Sequence, residues 1–172
     1  MANTSIRKGF SVLNVEKYEP KKYLLTNGAT VSAGDVMYMA NAGTVDETVN
    51  AGKLVGLCAS NMVNGLTGEI VTTAVATRGD FVMIYDDPNV EFTGELTTYA
   101  ATDPITTLAS AACYDVAGNT GVQYVDAGAS TNDEIRVKRL SIEPNGELSA
   151  VGVNAKCVFM FNSAKHLFGH VA

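Results

Sequence analysis

The chain has no tryptophan, and aromatic residues make up 8% of it. Sugar-binding surfaces are usually built on exposed aromatic rings, so a glycan site has little to draw on here. Three cysteines, Cys58, Cys113 and Cys157, are odd in number and far apart. That pattern does not suit a disulfide framework or a zinc site, and each cysteine is expected to be a small buried hydrophobe. Only two histidines occur, His166 and His170. Four residues apart, they could share a helix face and bind a metal. Gly169 lies between them, however, and no third ligand is close in sequence. No apolar run approaches the roughly 20 residues that a bilayer-spanning helix needs. The opening residues, MANTSIRKGF, lack the apolar core of a signal peptide, so the chain is expected to be made and kept in a cytoplasm. GxxxxGKS/T, GxGxxG, GxSxG and CxxC are all absent, which removes the common phosphate cradles and nucleophile motifs. A Cys–His pair such as Cys157 with His166 would need proximity that sequence does not give, and Cys157 opens a core-like run.

What is present is a 172-residue chain, 47% apolar and 17% charged, long enough to bury a core without staples. Its net charge of −6 is unevenly spread. Residues 1–22 carry +3, residues 23–133 carry −11 and residues 134–172 carry +2. An acidic body with basic ends is a poor nucleic-acid binder. It suits a protein whose ends touch another surface, or simply a solvated acidic shell.

Short strand signals with Gly and Asn punctuation run through most of the chain, as in a β-sandwich or barrel. Tyr23-Leu24-Leu25 leads to Asn27-Gly28, a turn pair. Gly34-Asp35 opens Val36-Met37-Tyr38-Met39, and Lys53 to Cys58 follows. Gly56 inside that strand predicts a bulge or a close backbone approach. Asn64-Gly65 and Gly68 break the next piece, and Glu69-Ile70-Val71 resumes it. Phe81-Val82-Met83-Ile84-Tyr85 is continuously apolar, as in a strand buried on both faces. Asp86, Asp87, Pro88 and Asn89 form a turn leading to Val90-Glu91-Phe92. With Glu91 they resemble a cation loop, but turn chemistry accounts for them.

The fold class is therefore all-β. Two small modules, over residues 21–87 and 88–163, follow an extended N-terminal arm over residues 1–20. A tail covers residues 164–172. A short helix is expected near 104–112, with Asp103 as N-cap and Pro104 at its first position. In the second module, Tyr114-Asp115-Val116 and Val122 to Val125 read as strands. Residues 134–140 alternate apolar and polar until Arg139, giving a basic outward face. Asn145-Gly146 joins Ile142 to Leu148 as a hairpin. Residues 157–161 are apolar throughout and call for burial on both faces or a covered edge. The arm scatters Ile6, Phe10, Val12, Leu13 and Val15 among cations. These side chains need a surface, either on their own domain or on a partner; disorder is the third alternative.

Two stretches in order resemble a known family. The first runs from Asn27, NGATVSAGDVMYMANAGTVDETVNAGKLVGLCAS, and ends in RGDFVMI. The second contains NVEFTGELT, DPITTLASAACYDV, NTGVQYVD, IRVKRLSIEP and NAKCVFMFN. They resemble the capsid decoration, or cement, proteins of tailed bacteriophages, whose N-terminal half is a β-tulip module. The resemblance implies a β-tulip-like first half and a sandwich or barrel-like second half. It implies a virion protein, without catalysis or cofactor, on the outer surface of an icosahedral head. The implied partners are the major capsid protein and neighbouring copies in a dimer or trimer; nucleic acid and membrane are not among them. On that basis Ile6, Arg7, Lys8, Phe10 and Val12 are expected to contact a partner, and deleting residues 2–19 is expected to leave a folded protein that binds the shell weakly. A head-fibre base, a tail component or a glycan-binding module are the alternatives. SAKHLFGHVA runs longer than the family pattern, so the role of the tail is open.

Overall fold

The alternation and the glycine punctuation resolve, in a computed structural model, into two β-sheets and, among the described residues, almost no helix. The structure describes residues 9–40, 43–47, 53–97, 113–128, 132–142, 144, 146–150 and 154–168. The helix expected over residues 104–112 and its cap, together with His170, lie outside them.

The first sheet contains β2 (Lys21–Leu24), β3 (Val36–Met39), β4 (Val45–Asp46), β5 (Lys53–Cys58) and β6 (Phe81–Tyr85), following β1 (Ser11–Val12) in the chain. Its order is β2-β6-β5-β3-β4, antiparallel throughout. The second sheet contains β1, β7 (Glu91–Thr97), β8 (Cys113–Ala117), β9 (Tyr124–Asp126), β10 (Ile135–Leu140) and β11 (Ala155–Phe161). The chain crosses from one sheet to the other through the turn between Tyr85 and Glu91.

The second sheet is a closed barrel. Strands β7-β11-β10-β8-β9 pair in that order, and β9 returns to β7 in parallel through Leu96–Val125 and Thr97–Asp126. Closure removes the free edges of those five strands. The part of the β7 edge that β9 does not reach is taken by β1, with Ser11 opposite Thr93 and Val12 opposite Phe92.

Gly56 marks both features expected of it. Register shifts between Met37 and Tyr38, where β3 faces β5, so Leu54 and Leu57 point to the same side despite odd spacing. A Cβ on Gly56 would lie 2.1 Å from the Tyr85 carbonyl oxygen. The second-charge signal at Arg139 has the same physical meaning. Val137 faces Phe159 and Arg139 faces Val158, so Lys138 is an extra residue in a bulge.

One face of the first sheet supplies Val36, Tyr38, Leu54 and Leu57 to the barrel side, where they join Phe92, Phe159 and Phe161 in one core. Each such burial contributes about 1.5–3 kcal/mol. The opposite face carries Met37, Val55, Val82 and Ile84, covered by Leu25, Ala29, Val31, Met62 and Ala74 from the loops. The two sheets are thus continuous through a shared core.

Some expectations change. β6 alternates buried Val82 and Ile84 with half-buried Phe81, Met83 and Tyr85; the Lys22 amine lies over the Phe81 ring at 4.0 Å, and Tyr85 packs partly against the shared core. Residues 69–71 form no strand: only isolated bridges link Val63 to Ile70 and Phe81, and Ile70 is 70% exposed. The arm is packed where it is described. The Phe10 ring lies edge-on to Phe92 at 5.3 Å and to Phe159 at 6.1 Å. Gly94 makes room for it, since a Cβ there would sit 2.3 Å from the ring. Residues 15–17 then form a 3-10 turn, and the Tyr18 hydroxyl donates to the Asn89 carbonyl.

Candidate functional site

The two Gly-Asp pairs that opened strands in the sequence use one device twice. Gly34 and Gly79 have φ of +91° and +68°, and the following aspartates are fully buried. Asp35 accepts the backbone N–H of Ser32 at 2.8 Å and of Gly121 at 2.7 Å. Asp80 accepts the N–H groups of Gly65 and Val75 and pairs with the Arg78 guanidinium at 2.5 Å. Burial raises the Asp35 carboxyl to about 6, while Arg78 chiefly, with the two N–H donors, holds Asp80 below the ordinary carboxylate range. Both side chains organise loops.

Asp35 also belongs to the joint between the sheets. The Gly121 N–H reaches it from the β8–β9 turn, the Thr120 hydroxyl donates to the Thr30 carbonyl, and the Gln123 side-chain oxygen accepts the Val36 N–H at 2.6 Å. Glu134 accepts the Val116 N–H, and the buried Tyr38 phenol faces its carboxylate. Burial raises both the Glu134 carboxyl and the Tyr38 hydroxyl. Backbone donors occupy these acids, so the arrangement holds the modules in register rather than presenting an acid/base pair to substrate.

The thiols are inert in the same sense. Cys58, Cys113 and Cys157 are free and buried. Burial pushes Cys58 and Cys157 up to about 12, so both are neutral thiols at physiological pH. His166 is buried against Phe161, with ring centroids 5.4 Å apart. The acidic turn is satisfied internally: Asp86 binds the Lys21 amine at 3.0 Å and the Tyr23 hydroxyl at 2.7 Å. Asp87 accepts the Asn89 N–H, and Glu91 pairs with Arg139 at 3.1 Å and Lys138 at 4.0 Å. Turn and hairpin chemistry explains this cluster. Among the described residues no helix is long and apolar enough to cross a membrane.

Of the residues expected to meet a partner, Ile6, Arg7 and Lys8 lie outside the described residues. Phe10 is 3% exposed inside its own chain's core, and that corrects the expectation for it. An aromatic ring inserted between Phe92 and Phe159 is not available to another protein. Val12 is half-buried on β1 and packs against the same core.

The surface that stands out lies elsewhere. Along β10, Ile135, Val137 and Leu140 point inward while Arg136, Lys138 and Arg139 point outward. Directly after this strand, Ile142 and Leu148 sit across one antiparallel bridge, 70% and 61% exposed. Arg136, with Lys138 and Arg139 paired to Glu91, therefore runs into two exposed aliphatic side chains on one wall of the barrel. The sequence carried the basic face and the hairpin. What it did not carry was that Ile142 and Leu148 find no core to enter, since apolar residues flanking a hairpin usually do. No protein-family model, curated protein or solved structure matches this chain.

Proposed function

We propose that this chain is a structural binding protein of a tailed-phage particle. It docks on the outer surface of the icosahedral head and stabilises the expanded coat lattice. The observation that carries a binding role is the ridge of Arg136, Lys138 and Arg139 beside the exposed pair Ile142 and Leu148. Exposed aliphatic pairs rimmed by polar residues favour a protein partner. The order of the β-module motifs supports the phage head as the place. Ile6, Arg7 and Lys8 extend the same cationic and apolar chemistry at the N-terminus. The partners are then the major capsid protein and neighbouring copies, with no reaction catalysed and no cofactor held.

The physical logic is linkage. A protein that binds only the assembled, expanded shell stabilises that shell by mass action. Many weak contacts repeated on a symmetric lattice add avidity. The test is co-sedimentation with expanded heads of the parent virus that lack this chain. Saturable binding at a fixed ratio to coat protein, with a raised head melting temperature, is expected. Ile142→Asp combined with Leu148→Asp should weaken binding by about tenfold or more, as loss of a buried apolar contact does. Absence of binding to expanded heads overturns the reading and turns the search to tail components and glycans.

A further inference from the structure

After β11 the chain does not stop at the barrel. Residues 163–165 turn back on Asn162, and His166 and Leu167 then meet β5 of the other sheet. The Leu167 N–H donates to the Leu54 carbonyl at 2.7 Å, and Leu54 bridges His166 in parallel. Strand β6 covers β5 only at Leu57 and Cys58, so this segment occupies the stretch of β5 that β6 leaves open. It is a strap from one sheet to the other, seated on a residue of their shared core.

The strap depends on the charge state of one ring. His166 is 4% exposed. Its Nδ1 accepts the Phe168 N–H at 3.1 Å, which requires that nitrogen to be unprotonated and puts the ring proton on Nε2. Nε2 is itself buried without a hydrogen-bond partner. A second proton can enter only at Nδ1, where it would face the Phe168 N–H, donor against donor. The resulting cation would sit between Phe161 and Phe168, away from water.

We propose that His166 is an acid-operated latch: protonation breaks its bond to Phe168 and releases the strap from β5. The charged groups around it do not remove the conflict. Asp86 and Asp87, on the turn after β6, and the Val55 carbonyl, which lies near the ring without forming a hydrogen bond to Nε2, favour the charged ring, but burial outweighs them and lowers its pKa. Asp86 is already bound to Lys21, whose amine also lies 5.9 Å from the Phe168 ring. On β5, Lys53 is exposed, as is Lys165 on the strap itself. Opening the strap would uncover Leu54 and loosen the joint between sheet and barrel, leaving the barrel's own ladder intact. This inference concerns the free protein and stands apart from the head-binding reading.

The test is amide hydrogen exchange of the full chain, corrected for intrinsic rates. Moving from about pH 7.5 to about pH 5, the amides of Leu167 and Phe168, which bond to Leu54 and to the His166 ring, should lose protection by about tenfold or more, while those shared by β10 and β11 change little. His166→Gln keeps a side-chain acceptor for Phe168 but cannot titrate, so its strap protection should be independent of pH. Unchanged protection in the wild type, or the same acid loss in H166Q, overturns the latch. Should H166Q fail to fold, imidazole proton resonances of the wild type decide, assigned with His170→Gln. Strap opening must then track the His166 titration; a displaced midpoint overturns the proposal.

Discussion

Gly56, in a strand, and Gly28, in a turn, separate two reasons for glycine. Gly28 has φ of +86° with nothing within 4 Å of a built Cβ, so alanine there meets backbone strain alone. Gly56 sits where a Cβ would press on the Tyr85 carbonyl at 2.1 Å and the Ile84 side chain at 2.9 Å. Neither backbone can move without disturbing the β5–β6 pairing that joins Leu57 to Tyr85 and Cys58 to Ile84. Gly28→Ala should therefore cost about 1–2 kcal/mol, and Gly56→Ala about 3 kcal/mol or more. Urea unfolding of the two variants checks the order. Equal losses would mean that the β5–β6 approach yields to the methyl group. Gly56 was also the most informative single residue in the sequence, because a glycine that interrupts an apolar strand gives up packing and so points to a bulge or a close neighbour. The aspartates of the two Gly-Asp pairs were less legible. Their spacing marked strand starts, but that their carboxylates bind loop N–H groups from distant segments depends on tertiary placement.

At the level of elements, the first strand changes what a truncation can reveal. Phe10 and β1 belong to the barrel, so a chain lacking residues 2–19 loses a core aromatic along with its arm. That deletion should cost about 3–5 kcal/mol, as large buried aromatics do. It would confuse unfolding with lost binding. Deleting residues 2–8 keeps Phe10, whose N–H donates to the Gly34 carbonyl at 2.9 Å. This shorter deletion leaves the Phe10 packing in place, and urea unfolding checks that the variant keeps its stability. If Ile6, Arg7 and Lys8 contact the shell, head binding falls in this variant while stability holds. Unaltered binding would remove the N-terminal segment from the contact and leave the β10 ridge alone. The strands themselves were legible wherever an apolar run or alternation was strong: β3, β5, β6, β10 and β11 lie where the pattern put them. Phe10 as a partner contact and the 69–71 segment as a strand were misread for a shared reason. Local pattern reports whether a side chain could be buried, whereas a tertiary neighbour decides whether it is. Phe10 found a hole above Gly94, and Ile70 found none. Barrel closure was beyond local pattern altogether, since it rests on two parallel pairs between strands far apart in sequence.

For the whole molecule, titrating groups with opposed effects set how stability varies with pH. Asp35, raised to about 6, binds its proton more tightly in the folded chain than in the unfolded chain. Its contribution is full below the ordinary carboxylate value of about 4 and disappears as pH rises through about 6. Glu134, also raised by burial, acts in the same direction. His166 is lowered, so its contribution is full above the ordinary imidazole value of about 6.5 and is lost as pH falls below it. Asp80, lowered by Arg78, matters only under more acidic conditions, where its contribution disappears as the carboxylate is protonated. Between about pH 4.5 and 6.5 the histidine and the two raised acids therefore oppose one another, so the wild-type chain should show a weaker pH dependence than either side would give alone. Replacing His166 by Gln removes one side of the balance. The urea midpoint of H166Q should then fall steadily as pH rises from about 4.5 to 6.5, the reverse of ordinary acid denaturation. A midpoint in H166Q that rises over that range would mean that Asp35 and Glu134 do not hold their protons in the folded state. The joint between sheet and barrel would then be stabilised by ionised carboxylates and their backbone donors.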